Sequence, residues 1–367
     1  MHPDMRLSTM TAYFSRNFTR LALVLAVGSQ VAAQHSLFAV ETVAPPTPKV
    51  VVKTAPAASF AWQDAAGDHL DLLYRGKPAL RYMYHPIDES TPEARAATFK
   101  PYHHVFSPTG GVQLTNGAGA KLFPHHHGVF FGFHKITYHG DKLCDVWHCT
   151  GNNTDGTFTQ HDKELERSVD ATGGKHVAAI SWHGLKGELF ANERRTMALH
   201  RRTHHEVEGW QIDFASHLET ADGQPIHLDG DPQHAGFHFR ANPHVADITA
   251  KKTYYLRTDG KGKLDETRNW DHDHLNAPGN AECTNRPWDA CSFIIGATRY
   301  TVLYIDHDAN PKPARSSERD YGRFGTYFVT DVTKVKPLDV KYRLWVQEGE
   351  MTVEQCQALH AEFAAAK

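Results

Sequence analysis

Between Phe60 and Gln347 apolar residues recur at every second position in short runs. Examples are Leu70-Asp71-Leu72-Leu73-Tyr74, His176 to Trp182, Trp210-Gln211-Ile212-Asp213-Phe214, Ile294 to Tyr304 and Val340 to Val346. Period two sends successive side chains to opposite faces of a strand. Gly, Pro, Asn and Asp punctuate the runs about every ten residues, and no helical pattern separates them. The pattern predicts an all-β fold, a large antiparallel β-sandwich over residues 60–350, and argues against βαβ units. Only at the C-terminus does the period change. Thr352 and Gln355 have the spacing of a capping box, and Val353, Cys356, Leu359, His360 and Phe363 then recur at helical intervals. Residues 351–367 should therefore form a helix with one face on the sandwich.

The N-terminal residues follow a different rule. Arg16 and Arg20 precede the apolar run Leu21 to Val27, and Val31-Ala32-Ala33 fits a cleavage site after Ala33. Residues 1–33 read as a secretory signal, too short an apolar run to span a bilayer. Residues 34–59, with Pro45, Pro46, Pro48 and Pro56, read as an extended Pro-rich linker. The expected location is periplasmic or secreted, with no membrane span in the mature chain.

Charge narrows the partners. With 39 Lys+Arg against 42 Asp+Glu the chain lacks the basic surplus that phosphate neutralisation needs, so nucleic acid is not an expected partner. Removing residues 1–33 takes away three Arg and one Asp, leaving 36 against 41, a formal charge of -5. Five cysteines leave two readings open: local bridges Cys144–Cys149 and Cys283–Cys291 with Cys356 free, or five reduced, buried thiols. There is no phosphate-binding Gly loop, no GxSxG, no HExxH and no CxxC, which sets aside nucleotide hydrolysis, α/β-hydrolase chemistry and zincin proteolysis.

Histidine is the unusual residue, with 27 copies, many adjacent. One group joins Tyr102-His103-His104 to Pro124-His125-His126-His127-Gly128. If the latter is extended, His125 and His127 share one face and His126 takes the other. A second group is Asp231-Pro232-Gln233-His234-Ala235-Gly236-Phe237-His238-Phe239-Arg240. On a strand, His234, Gly236 and His238 line one face while Phe237 and Phe239 enter the core. Asp231 could add a carboxylate to a histidine-rich metal site. In the third group, Ser317 to Gly325, Arg319 and Arg323 are fixed cations for carboxylate or hydroxyls, Asp320 can orient one, and Tyr321 can exchange a proton. Trp147 and Trp270 could stack on a sugar ring.

Taken in order, Pro101-Tyr102 to Gly110, Pro124 to Gly128, Asp145-Val146-Trp147, Gly230 to Arg240 and Asp306-His307 through Arg319-Asp320-Tyr321-Gly322-Arg323-Phe324 resemble the bacterial PmoA-like domain family over roughly residues 70 to 347. The resemblance implies an exported protein in a carbohydrate context. It does not imply methane oxidation, because no apolar stretch here is long enough to cross a membrane. The expected fold is a galactose-mutarotase-like supersandwich, with a cupin-like jelly roll as the alternative. The expected function is that of a carbohydrate-active enzyme working by proton abstraction on a sugar or uronic acid, with elimination, epimerisation or hydrolysis as outcome. The alternatives are a non-catalytic sugar-binding module and a His-ligated metal oxygenase. In the leading version His126 or His234 is the base, Arg319 and Arg323 hold the negative charge, and Tyr321 donates or accepts a proton. His104, Trp147, Asp320 and Arg323 contact a small carbohydrate or polysaccharide. His125, His127 and His238 are the candidates for a divalent metal, the one cofactor left open.

Overall fold

A computed structural model describes residues 60–149 and 156–366; the expected signal and linker lie outside the described residues. In chain order the strands are β1 (Phe60–Ala65), β2 (His69–Tyr74), β3 (Lys77–Met83), β4 (Tyr102–Val105), β5 (Val129–Phe133), β6 (Lys135–Tyr138) and β7 (Lys142–Cys144). Then come β8 (Phe158–Val169), β9 (Gly173–His183), β10 (Leu189–His204), β11 (Val207–Thr220), β12 (Ile226–Asp229), β13 (Ala235–Arg240) and β14 (Tyr254–Arg257). The last are β15 (Gly260–Lys261), β16 (Trp288–Ile295), β17 (Thr298–Asp306), β18 (Arg315–Arg319), β19 (Arg323–Tyr327), β20 (Thr330–Val332) and β21 (Leu338–Glu348). Two longer helices are α1 (Pro92–Thr98) and α2 (Val353–Ala365).

Eight strands form one sheet in the order β1-β2-β3-β4-β5-β13-β19-β18, and nine form the other in the order β15-β14-β16-β17-β21-β11-β10-β9-β8. A small third sheet runs β20-β12-β6-β7. The ladders are antiparallel, as the alternating runs predict. Phe237 of β13 stacks on Phe214 of β11 at 4.4 Å and on Tyr342 of β21 at 4.6 Å, so the inner faces of the two large sheets meet directly. Two sheets of eight and nine strands exceed an eight-stranded jelly roll.

Most runs read from the sequence are single strands, but Ile294 to Tyr304 is a hairpin. It turns at Gly296, whose φ of 62° favours a residue without Cβ, and joins β16 to β17. Helix α2 carries the expected box: Thr352 Oγ1 accepts from the Gln355 amide at 3.2 Å and Gln355 Oε1 from the Thr352 amide at 2.9 Å. Its buried residues Cys356, Leu359 and Phe363 join Trp288, Ile305 and Trp345 on the outer face of the nine-stranded sheet. Helix α1, with no buried residue, has no periodic signal; it is set by Thr91, which accepts from the Ala94 amide, and by Pro92 at its first turn. All five cysteines are free and buried, so the two local bridges do not form and the thiols act as small apolar side chains. Among the described residues no helix is long and apolar enough to cross a membrane.

One buried ion pair ties the layers together. Glu193 and Arg195, neighbours on the same face of β10, make two contacts at 2.8 and 2.9 Å. Glu193 also accepts from Trp182 Nε1 on β9 and Ser216 Oγ on β11, while Arg195 reaches across to the carbonyl of Pro101, just before β4. Removing one partner leaves a buried charge uncompensated, which costs about 3–5 kcal/mol. Arg195→Met is expected to lower unfolding free energy by about that amount in urea titration; a loss below about 1 kcal/mol would show that the pair is not a staple.

Candidate functional site

Two short turns present the key imidazoles. In Asp145-Val146-Trp147-His148, Asp145 Oδ1 accepts the amides of Trp147 and His148, both at 2.8 Å, and Oδ2 lies 2.7 Å from His148 Nδ1. In Asp231-Pro232-Gln233-His234, Asp231 Oδ1 accepts the amides of Gln233 and His234 at 2.7 and 3.1 Å, and His234 Nδ1 sits 3.1 Å from both carboxylate oxygens. An aspartate that caps its own turn is common; here it also fixes the ring three residues on, so each Nε2 points away from its carboxylate. A third copy, Asp271-His272-Asp273-His274, makes the same bonds on the surface, with His274 exposed.

The first two turns converge on the outer face of the eight-stranded sheet. Ring centroids of His148 and His234 are 4.6 Å apart, those of His125 and His148 4.5 Å, and those of His125 and His234 5.4 Å. One ring nitrogen from each of the three lies within 4.8 Å of the others, a spacing able to hold a cation. His134, Asp231 and His234 form a second such group sharing His234. His126 packs at 4.4 Å from His125 and 5.2 Å from His234. Trp147 is the floor, edge-on to His126 at 5.7 Å and to His238 at 5.0 Å. A cavity of about 260 Å³ lined by Glu93, Ala96, Phe99, Gly119, Pro124, His125 and His148 opens beside the cluster.

The backbone is pinned from below. Lys100, buried under Phe130 and Trp147, donates to the carbonyls of His125 at 2.8 Å and Trp147 at 2.5 Å, so one ammonium joins the two histidine-bearing loops. Burial pushes Lys100 down to about 7. Gly128 lies so close to β4 that a Cβ would stand 2.1 Å from the His103 carbonyl oxygen, and Asn116 Nδ2 donates to the carbonyl of His126.

The expected residues separate into two sets. His125, His126, His234 and Trp147 meet, but Trp147 is a buried floor with 1% exposure, which removes it as an open sugar platform. Trp270 is half-buried and covered by Arg315 at 4.8 Å. Arg323 backs the pocket, donating to the carbonyl of Pro232 inside the His234 turn and to Ser317 Oγ. Tyr321 stands one ring away, 5.5 Å from Phe123, which itself borders His125 and His126. Arg319 and Asp320 are half-buried at the β18–β19 turn and form no hydrogen bond or ion pair with the imidazoles.

His127 and His104 do not join them. Residues 124 and 125 form a turn, so alternation fails there: His125 and His126 face the pocket, and His127 packs on Tyr102 at 4.6 Å and Phe99 at 5.3 Å. His104 faces Thr115 at 3.0 Å and Tyr102. His238 lies beneath Trp147 with 2% exposure. Of the metal candidates His125, His127 and His238, only His125 belongs to the triad; His148 and His234 complete it. His148 was not anticipated, and the signal that finds it is the repeated Asp-x-x-His spacing.

The family model for a family of unknown function, DUF6807, matches residues 69–361, which include every residue of this cluster. The chain belongs to that family. No curated protein matches this DUF6807 chain. Among solved structures it is similar to a glycoside hydrolase family 36 α-galactosidase from Geobacillus stearothermophilus in complex with raffinose, with 7% identity and a TM-score of 0.35 over 81% of this chain and 40% of that one. It is also similar to a glycoside hydrolase family 97 enzyme from Pseudoalteromonas sp. strain K8, with 8% identity and a TM-score of 0.34 over 74% of this chain and 34% of that one. A galactose mutarotase related enzyme from Lactobacillus acidophilus gives 9% identity and a TM-score of 0.23 over 68% and 95%. The chain thus spans about 40% of the length of the α-galactosidase. None of these likenesses bears on the site.

Burial disfavours charge on His125, His126, His234 and His238. Burial, with the neighbouring His148 and Lys100, pushes His125 down to about 2, and burial beside Arg323 takes His126 and His238 well below 6.5. Burial opposes the charge of Asp231, yet the His234 hydrogen bond and adjacent imidazoles hold its carboxyl well below the usual carboxylate range. Elsewhere burial lowers His103, His104 (to about 3) and His176 (to about 4). Between 6.5 and these depressed values the unfolded chain takes up protons that the folded chain refuses. The stability these histidines contribute is therefore whole above about pH 6.5 and falls with acid, by about 1.4 kcal/mol per pH unit for each such histidine. Urea midpoints should drop steeply between pH 7 and pH 5; equal midpoints at pH 7 and 5 would contradict neutral burial.

Proposed function

We propose that this chain is an exported, carbohydrate-active enzyme whose reaction centre is a divalent-metal site held by His125, His148 and His234. The observation that carries the proposal is the convergence of three imidazole nitrogens, two of them on rings aligned by the carboxylates of Asp145 and Asp231. Neutral imidazole with a carboxylate at its far nitrogen is the usual outer support of a metal-ligating histidine. His125 Nε2 is buried without a hydrogen-bond partner, as a ligand atom lacking its ion would be. Three ligands on one side leave the cavity side open for substrate.

An ion there would supply a Lewis acid for a substrate carbonyl or hydroxyl oxygen. His126, alongside the triad with Nδ1 unpartnered, is placed to take a proton, and Arg323 stabilises negative charge behind the ring. Proton abstraction beside a carbonyl or carboxylate leads to elimination or epimerisation, with hydrolysis as the third outcome. The sugar rests on the motif resemblance to PmoA-like domains. A periplasmic or secreted location rests on residues 1–33. A purely sugar-binding module is the weaker reading, because the tryptophan at the pocket is its buried floor.

Metal analysis of untagged protein, coupled to a saccharide activity screen, tests this. About one divalent ion per chain is expected, with His148→Ala losing the ion and the activity while His104→Ala retains both. A correctly folded protein that binds no divalent ion after dialysis against micromolar zinc, manganese or cobalt would refute the centre.

A further inference from the structure

Strand register places three arginines side by side. Arg240 on β13 pairs with Arg323 on β19, and Arg323 pairs with Arg319 on β18, so the three share one face of adjacent strands. Like charges directly opposite one another destabilise a sheet. The fold treats its other fully buried arginines differently: Arg195 is paired with Glu193, and Arg257 and Arg286 both with Glu318. Glu318, next to Arg319, turns to the opposite face to do so.

Among the described residues the row has no such partner. Arg240 Nη1 donates to the carbonyls of Ala241 and Tyr321 at 3.1 and 2.7 Å, and its guanidinium lies 4.3 Å from the Tyr321 ring centre. Arg323 donates to the Pro232 carbonyl and Ser317 Oγ, and Arg319 Nη1 to the Glu318 carbonyl at 3.1 Å. Every acceptor is neutral. Arg240 is 1% and Arg323 0% exposed, yet Arg240 Nε and Nη2 and Arg323 Nε have no acceptor at all. Asp247 and Asp320 act on the row without an ion pair to it, and cations kept together without a paired carboxylate are costly, so the arrangement calls for an anion. Arg319, half-buried at the turn, is the end open to solvent. At the other side Arg323 holds the His234 turn through Pro232, so the row and the imidazole cluster are contiguous.

We propose that Arg240, Arg319 and Arg323 form an anion site that receives the carboxylate of an acidic sugar, while its ring reaches the histidine cluster. The planar guanidinium fork matches a carboxylate in two bonds, which a neutral sugar does not offer. This rests on the proposed carbohydrate reaction and narrows its substrate to sugar acids.

Calorimetric titration of the metal-loaded protein with D-glucuronate, D-glucose and inorganic phosphate tests it. Glucuronate should bind at least about tenfold more tightly than glucose, and Arg319→Gln should erase most of that preference while leaving glucose unchanged. Arg319→Lys, which keeps the charge without the fork, should restore part of it. Arg323→Gln should have the larger effect; because it lies in the interior, its melting temperature is measured alongside, and Arg319→Gln stands if it fails to fold. Equal affinity for glucuronate and glucose, no glucuronate binding, or a preference that survives Arg319→Gln overturns the site. Phosphate binding that depends on Arg319 where glucuronate binding does not overturns the carboxylate assignment. Metal content of the same samples separates the two proposals: metal kept without anion preference sinks the arginine row alone, and anion preference without metal sinks the metal centre alone.

Discussion

The register in which β5, β13, β19 and β18 pair is the constraint on which the pocket depends. Because side chains alternate, a slip of one residue would exchange everything on the two faces. In the observed register Phe131, Phe237, Phe239 and Phe324 enter the core, and the opposite face carries Phe130, His238, Arg240, Arg323 and Arg319. Aromatic burial therefore fixes polar geometry. Gly325 opposes His238 at a point where a Cβ would stand 2.7 Å from the imidazole, so the ring lies flat across the neighbouring strand. Trp147 covers that ring, and His126 of the pocket stands on Trp147.

Charge is handled in three ways inside one molecule. The Glu193–Arg195 and Glu318–Arg257–Arg286 networks pair it, burial makes His125, His126 and His234 shed it, and Lys100 shares it among backbone carbonyls and aromatic faces. The first route gives rigidity between layers. Shedding charge keeps imidazole lone pairs available at neutral pH, which acid–base and ligating roles both need. Lys100 serves the second through the third: its position sets where the His125 and Trp147 carbonyls go, and with them the two loops.

Much of the fold was legible because it follows from periodicity. The runs of β2, β9, β11 and β21 are strands, with burial alternating over Ile212 to Leu218 of β11 and Leu338 to Tyr342 of β21, and α2 begins where Thr352 and Gln355 cap it. Helix α1 was not legible, since seven residues without a buried face leave no pattern. At the site, the convergence of the His125 segment with His234 could be anticipated from residue types, but which ring faces inward could not. Alternation holds only for an extended chain, and the chain turns at Pro124 and His125. His127 and His238 were grouped with His125 by strand logic, whereas His148 enters through a loop whose only mark is an aspartate three residues earlier. The cysteines show the same limit, because proximity in sequence says nothing of burial, and all five are interior thiols.

The exposed copy of the turn, Asp271 to His274, has a wider meaning. It makes the same amide and imidazole bonds with no pocket around it and with His274 in solvent. The imidazole is thus aimed by bonds within four consecutive residues, while Asn280 braces the backbone of this copy at Asp271 and His274. Aiming the side chain is then a largely local matter, and part of the ordering entropy that a binding site usually demands at closure is met by the turn itself. A surface loop of the right length could gain or lose such a turn without disturbing the sandwich beneath it, which makes the ligand set of this scaffold a property of its loops.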